Sequence, residues 1–192
     1  VRAHPLAADL AVWSEAEQLV PRAVALAGDV DILVNNASVF PPGTLSELDP
    51  EALAENLQVN AFAPLVLARA LAARGREARV VNLLDTRIAG TDDADHLAYR
   101  LSKRTLLDLT RLLAVELAPR VVVNGVAPGA VLAPEGAPDG YLESVAALTP
   151  LGRPGQVRDV VEAVLFLARS HYITGDVIFV DGGRHLKGRV DG

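Results

Sequence analysis

Apolar positions fall into two rhythms along this chain. Short unbroken runs occupy residues 31–34 (DILV), 79–84 (RVVNLL), 121–126 (VVVNGV) and 176–180 (DVIFV). Runs of this length, rich in Val and Ile, predict strands buried on both faces. Between them lie longer stretches with helical spacing. These are residues 14–27, 50–74 (Leu53, Leu57, Asn60, Pro64, Leu67), 97–118 (Leu101, Leu106, Leu109, Leu113, Leu117) and 157–170. Ser14 stands where a helix cap would, with Glu17 at capping-box spacing. Residues 4–10 (HPLAADL) predict one further short strand, ending at Asp9. Strands separated by helices predict a parallel sheet covered on both faces, with right-handed crossovers: an α/β, doubly wound architecture. Residues 1–192 are expected to form one domain. Within it, residues 129–150 are rich in Ala, Pro and Gly and predict a mobile lid with a short helix near Tyr141.

Composition narrows the function classes. A chain of 192 residues suffices for one domain and its core. With 51% hydrophobic and 22% charged residues it is neither a disordered tail nor a coiled coil. A net charge of −6 argues against a nucleic-acid surface. The absence of Cys excludes disulfides, thiolate metal sites and Cys nucleophiles. No apolar run reaches the ~18 residues that span a membrane, and residue 1 onward does not read as a signal peptide. The expected location is therefore cytoplasmic, with no membrane or nucleic-acid partner. The chain has no Met, so Val1 is not expected to be the natural start. Only Lys103 and Lys187 are lysines among eighteen basic residues. Arg is the default cation, which makes Lys103 conspicuous.

In doubly wound sheets, ligands sit beyond the carboxyl ends of the strands. That rule selects Asp9, Asn35 to Ser38, Asp85, Thr86, Pro128, Gly129, Gly182 and Gly183. Just after one such strand end, Tyr99 and Lys103 are four residues apart on a predicted helix and share a face. A free Tyr is a poor acid at neutral pH. A neighbouring ammonium is expected to lower its pKa and make it a proton donor. Asn60, polar inside an apolar helical stretch, is either a hydrogen-bonded structural residue or part of a proton chain.

Taken in order, NNA (35–37), VNA (59–61), VVN (80–82), YRLSK (99–103), VNGVAPG (123–129) and ITG…VDGG (173–183) resemble the short-chain dehydrogenase/reductase family. The resemblance implies a Rossmann-like fold that binds NAD(H) or NADP(H). It implies catalytic roles for Tyr99 and Lys103 and a proton-relay role for Asn60. It implies cofactor contacts from Asp9, Leu10, Asn35, Ala37, Ser38, Tyr99, Lys103, Pro128 and Gly129. It also implies a homo-oligomer, commonly a tetramer, with the Tyr/Lys helix and the helix before it at its centre. Surplus apolar stripes at Leu106, Leu109, Leu113 and Leu117 suit that interface.

Two departures from the common family pattern point to a subgroup. Asp85 stands where the family usually has Ser, and a carboxyl suits a basic nitrogen rather than a ketone oxygen. Asp85 lies fourteen residues before Tyr99, one more than is usual in the family; Thr86 keeps the usual spacing and remains an alternative. Phe40, after Asn35-Asn36-Ala37-Ser38-Val39, is expected to stack on a flat heteroaromatic ring. These features, with Asp181 to Leu186, resemble pteridine reductases and bacterial dihydromonapterin and dihydrofolate reductases. The implied activity is reduction of a pterin-like C=N bond by NADPH, with NADH left open. The implied catalytic set is Tyr99, Lys103, Asp85 and Asn60, and the implied substrate contacts are Phe40, Asp85 and Tyr99. A generic carbonyl reductase using Thr86 is the alternative enzyme. The first β-α-β unit of the family, with its glycine-rich phosphate turn, is absent from this sequence. An N-terminally truncated chain, catalytically inactive and acting only in binding or oligomerisation, is therefore a third reading.

Overall fold

The computed structural model describes residues 2–90, 95–134 and 136–187. Positions 91–94 of the predicted polar loop and position 135 of the predicted lid lie outside the described residues. Four strands, β1 (Ile32–Asn35), β2 (Ala78–Leu83), β3 (Val121–Pro128) and β4 (Val177–Val180), pair in parallel in the order β1-β2-β3-β4. The helices are α1 (Trp13–Ala27), α2 (Pro50–Leu57), α3 (Ala63–Ala72), α4 (Leu97–Glu116), α5 (Tyr141–Ala146) and α6 (Val157–Arg169).

Strand residues alternate between the two faces of the sheet, and helices cover both faces of β2 and β3, whereas Ile32 and Val34 leave one face of β1 exposed rather than buried as the apolar run predicts. On one face, Val20 of α1, Leu67 and Leu71 of α3 and Leu113 of α4 pack on Val80, Val121 and Val123. On the other, Leu167 of α6 packs on Val81, Leu83 and Val126. This is the α/β parallel sheet that the apolar rhythms predict, in the Rossmann-like form that the family resemblance implies. All four strands point the same way, so residues just after β1, β2, β3 and β4 gather along one rim.

Four expectations are corrected. Residues 4–10 form no strand. An extended segment becomes a strand only by pairing, and this one meets helix-side partners instead: Arg22 donates to the Ala7 carbonyl and Gln58 to that of Leu10. Ser14 does not cap α1. The cap position is Val12, without a side-chain bond; the Asp9 carbonyl and side chain serve the entry turn through Val12 N and Ala11 N. The predicted helix over residues 50–74 is broken by a wide π-type turn, Gln58–Phe62, between α2 and α3. Pro64 lacks the N–H that an α-helical bond to residue 60 requires, which favours the wider turn there. Lastly, the leucines expected to be surplus on α4 face inward. Leu106 and Leu113 are buried, and Leu109 and Leu117 pack partly against the core. The exposed apolar residues of α4 are Leu101, Leu112 and Val115.

Candidate active site

The end of β2 delivers Asp85, and the first two turns of α4 deliver Tyr99 and Lys103. The Tyr99 hydroxyl donates to Asp85 Oδ2 at 2.9 Å. Asp85 Oδ1 accepts from Arg87 N at 2.7 Å, capping the short turn Thr86–Ile88. Lys103 Nζ donates to the Leu83 carbonyl at 2.7 Å and lies 5.6 Å from the Tyr99 ring centroid. Tyr99 and Lys103 are both buried. Burial first, and then the Asp85 carboxylate, push the Tyr99 pKa well above the ordinary phenol range; Arg87 opposes weakly. Burial lowers the Lys103 pKa to about 8, against a smaller upward pull from Asp85.

This reverses the expectation that Lys103 lowers the Tyr99 pKa. Helical spacing does bring the two onto one face. The ammonium, however, is hydrogen-bonded to a backbone carbonyl, whereas the hydroxyl touches an anion. Tyr99 is therefore held as a neutral phenol at neutral pH, with its proton directed at a carboxylate oxygen.

The choice between Asp85 and Thr86 follows from their partners. Thr86 is buried, and its hydroxyl donates to Asp181 Oδ2. The buried Asp181 also accepts from Gly183 N (3.0 Å), His185 N (2.9 Å) and His185 Nδ1 (3.0 Å). Burial pushes its pKa up, but the bonds from Thr86, His185 and Gly183 outweigh this and leave it below the ordinary carboxylate range. Thr86 is thus a structural tie, and Asp85 is the group that meets Tyr99.

Two cavities meet at this pair. One, of about 310 Å³, is lined by Phe40, Asp85, Arg87, Tyr99, Tyr141 and Arg184 among others. The other, of about 470 Å³, runs along the strand ends past Asn36, Ser38, Lys103, Pro128 and the apolar side of α6. Asp85, Tyr99, Gly129 and Leu132 border both. Gly129 has a packing reason as well: a Cβ there would approach the Asp181 backbone to 2.9 Å. Ala130, Leu132, Ala133, Pro134 and Tyr141, from the segment predicted as a lid, wall the smaller cavity.

Other predicted residues stand elsewhere. Asp9, Leu10, Asn35 and Ala37 line neither cavity. Asp9 serves the start of α1, and Leu10 packs under it. The Asn35 side chain points into the sheet and donates to Asn82 Oδ1 at 2.7 Å, and Asn82 in turn donates to Thr110 at 2.9 Å. Asn36, one residue on, reaches the larger cavity instead. Asn60 is buried in the π-type turn. Its Oδ1 accepts from Val39 N (2.8 Å) and Ser38 Oγ (3.0 Å), and its Nδ2 donates to the Val39 carbonyl (2.9 Å) and Ser102 Oγ (3.0 Å). These bonds fit the structural alternative for Asn60: they fasten the loop after β1 to α4. Phe40 lies 4.5 Å from the Tyr99 ring, edge to face, and is 38% exposed. His96 stacks on it at 3.9 Å, and the Arg87 guanidinium lies over it at 5.1 Å.

The sequence reading assigned no role to Arg87, Tyr141 or Arg184. Arg87 and Arg184 follow strand ends, so the strand-end rule applied one or two residues further along would have found them. Tyr141 carried no such signal.

A family model described as enoyl-(acyl carrier protein) reductase matches residues 1–185. A granaticin polyketide synthase putative ketoacyl reductase from Streptomyces violaceoruber is 38% identical, over 93% of this chain and 76% of that protein. L-xylulose reductase from Bos taurus is 36% identical, over 91% of this chain and 74% of that protein. Among solved structures, the FolM alternative dihydrofolate reductase from Brucella canis, complexed with NADP, superposes with a TM-score of 0.87 at 31% identity. That match covers 97% of this chain and 74% of the other. Among the described residues, no helix is long and apolar enough to cross a membrane.

Proposed function

We propose that this chain, which belongs to the short-chain dehydrogenase/reductase family of oxidoreductases, is an NADPH-dependent reductase of a pterin or dihydrofolate-like substrate. The observation that carries the reading is the hydrogen bond from Tyr99 to Asp85, made where the two cavities meet. A hydroxyl at position 85 would suit a carbonyl oxygen. A carboxylate beside a phenol suits a ring nitrogen that must be held and then protonated. The Brucella canis neighbour, named a dihydrofolate reductase and complexed with NADP, supports the same reading.

The larger cavity fits the nicotinamide end of the cofactor. Apolar side chains of α6 offer a flat wall, and Asn36, Ser38 and the Lys103 ammonium offer polar contacts for the ribose. Among the described residues no glycine-rich turn faces this cleft. The cofactor supplies a hydride to the substrate carbon when bound. The chain's own residues handle the proton. Tyr99 holds it, raised in pKa, until a nitrogen replaces Asp85 Oδ2 as acceptor. Asp85 orients the ring, and Lys103 sets the charge behind the phenol. A flat ring that stacks on Phe40 takes the place of the Arg87 guanidinium. Asn60 keeps Ser38 and Val39 in register with α4. A homo-oligomer built on α4 is part of this reading.

The relatives named ketoacyl reductase and L-xylulose reductase favour the second reading, a carbonyl reductase on the same scaffold. NADPH oxidation by the full chain with 7,8-dihydrobiopterin, 7,8-dihydrofolate and simple ketones separates the two. The expected result is turnover of the reduced pterins, with a fall of tenfold or more on Asp85→Ser. Turnover of ketones alone, or pterin turnover unaffected by Asp85→Ser, would replace the pterin reading with the carbonyl one.

A further inference from the structure

The smaller cavity has an electrostatic asymmetry that reduction of a ring does not require. Its charged lining is one carboxylate, Asp85, and two guanidiniums, Arg87 and Arg184. In a chain with a net charge of −6, the described lining of this recess thus holds more guanidiniums than carboxylates. Asp85 carries a single negative charge, and its two oxygens accept from Tyr99 Oη and Arg87 N. Arg184 is half-buried, and among the described residues no ion pair includes its guanidinium.

The position of Arg184 is built rather than incidental. It opens the turn Arg184–Leu186, whose start is fixed by Asp181: the Asp181 carbonyl accepts Arg184 N, and its carboxylate accepts Gly183 N and His185 N. The same carboxylate accepts the Thr86 hydroxyl, the residue just before Arg87. One buried acceptor thus ties together the two turns that carry the two arginines. Partly dehydrated guanidiniums bind carboxylates and phosphates with good geometry, often through two parallel bonds. The remaining wall between the Asp85–Tyr99 pair and these cations includes Leu132, Pro134 and Tyr141, apolar and aromatic.

We infer that Arg184, assisted by Arg87, binds an anionic arm of the substrate, so that the substrate is a reduced pterin carrying a carboxylate, of the dihydrofolate class, rather than a bare pterin. The inference rests on the pterin reading above and adds the far end of the molecule to it. The anion could have a second source, a phosphate of the dinucleotide. Neither arginine lines the larger cavity, which places them with the substrate.

The test uses the full chain, NADPH, and two probes that share a ring: 7,8-dihydrofolate, with carboxylates, and 7,8-dihydrobiopterin, without. The wild type should prefer dihydrofolate in kcat/KM, and the preference should shrink as salt rises, because added ions screen the guanidiniums. Arg184→Gln should lower the dihydrofolate-to-dihydrobiopterin ratio about tenfold, mainly through KM. Arg184→Lys, which keeps the charge, should restore part of it. Calorimetry with folate, and separately with NADPH, supplies a readout that does not depend on turnover: Arg184→Gln should weaken folate and leave the NADPH dissociation constant unchanged. If both pterins are reduced and the ratio is untouched by Arg184→Gln, the arm site is wrong while the pterin reading stands. If NADPH affinity falls instead, the arginine serves the cofactor and the inference is overturned. If the wild type reduces neither pterin, both readings fall together.

Discussion

Lys103 carries a charge where water is scarce, and that has a measurable price in stability. Its pKa is lowered by burial from the ordinary lysine value to about 8. A lysine whose folded pKa lies below its unfolded one binds fewer protons when folded, so stability rises with pH between the two values. The expected gain from about pH 8 to about pH 10 is of order 2–3 kcal/mol. Above pH 10 the trend turns, because Tyr99, with its pKa raised, keeps a proton that the unfolded chain releases. Denaturant midpoints from pH 7.5 to 10 should rise in the wild type and stay nearly flat in Lys103→Met; a flat wild-type profile would contradict the burial account. The identity of this residue was legible in the sequence, because Y-x-x-x-K on a helix fixes which face both side chains occupy. Its electrostatic effect was not. Spacing places two residues on one face, but which atoms touch depends on Asp85 and the Leu83 carbonyl, which arrive from a strand. The neighbours of the Phe40 ring were illegible for the same reason, since His96 and Arg87 reach it from other segments.

The elements were easier to read than the joints between them. Unbroken apolar runs located all four strands, and the long periodic stretches located α1, α4 and α6, each within a residue or two at its ends. What failed was local pattern taken without a partner: residues 4–10 have a strand-like composition but, among the described residues, no strand to pair with. The joint that matters most was invisible for want of any periodic signal. Asp181 ties the exit of β4 to the turn after β2 by accepting from Thr86, Gly183 and His185. Removing the acceptor leaves buried donors unsatisfied, at about 1–3 kcal/mol for the group as a whole. Asp181→Ala should therefore lower stability by about 2–3 kcal/mol at pH 7, and Thr86→Val, which removes one donor, by about 1 kcal/mol. Because the Asp181 pKa is lowered in the folded chain, its contribution is present above the ordinary carboxylate pKa and fades as pH falls through the folded one. Urea midpoints of wild type and Asp181→Ala should accordingly converge in acid. Equal destabilisation at pH 7 and pH 3 would indicate that packing, not the charged acceptor, holds the joint.

At the scale of the whole molecule, the described residues leave two apolar surfaces uncovered. Leu101, Leu112 and Val115 are 45%, 60% and 76% exposed, and their spacing of eleven and three residues puts them on one side of α4. The opposite side of that helix is already used: Leu106 and Leu113 are in the core and Tyr99 and Lys103 are at the site. A second apolar surface lies on the far layer, where Phe166 of α6 and Ile32 of β1, a strand at the sheet edge, are exposed beside Val34, Val157, Val161 and Leu165, which line the larger cavity. An unpaired edge with apolar neighbours invites strand-to-strand association of an open-ended kind, whereas two copies of one helix face close on each other by twofold symmetry. The two surfaces therefore predict different assemblies. If α4 makes the contact, light scattering at micromolar concentration should give a discrete homo-oligomer, and the double variant Leu112→Glu, Val115→Glu should reduce it to a smaller species while leaving helix content intact. Both side chains point away from the core, so the substitution tests the surface rather than the fold. A monomeric wild type would remove the α4 interface altogether. An oligomer that survives the double variant, and grows in size with concentration, would move the contact to the β1 edge and the exposed side of α6.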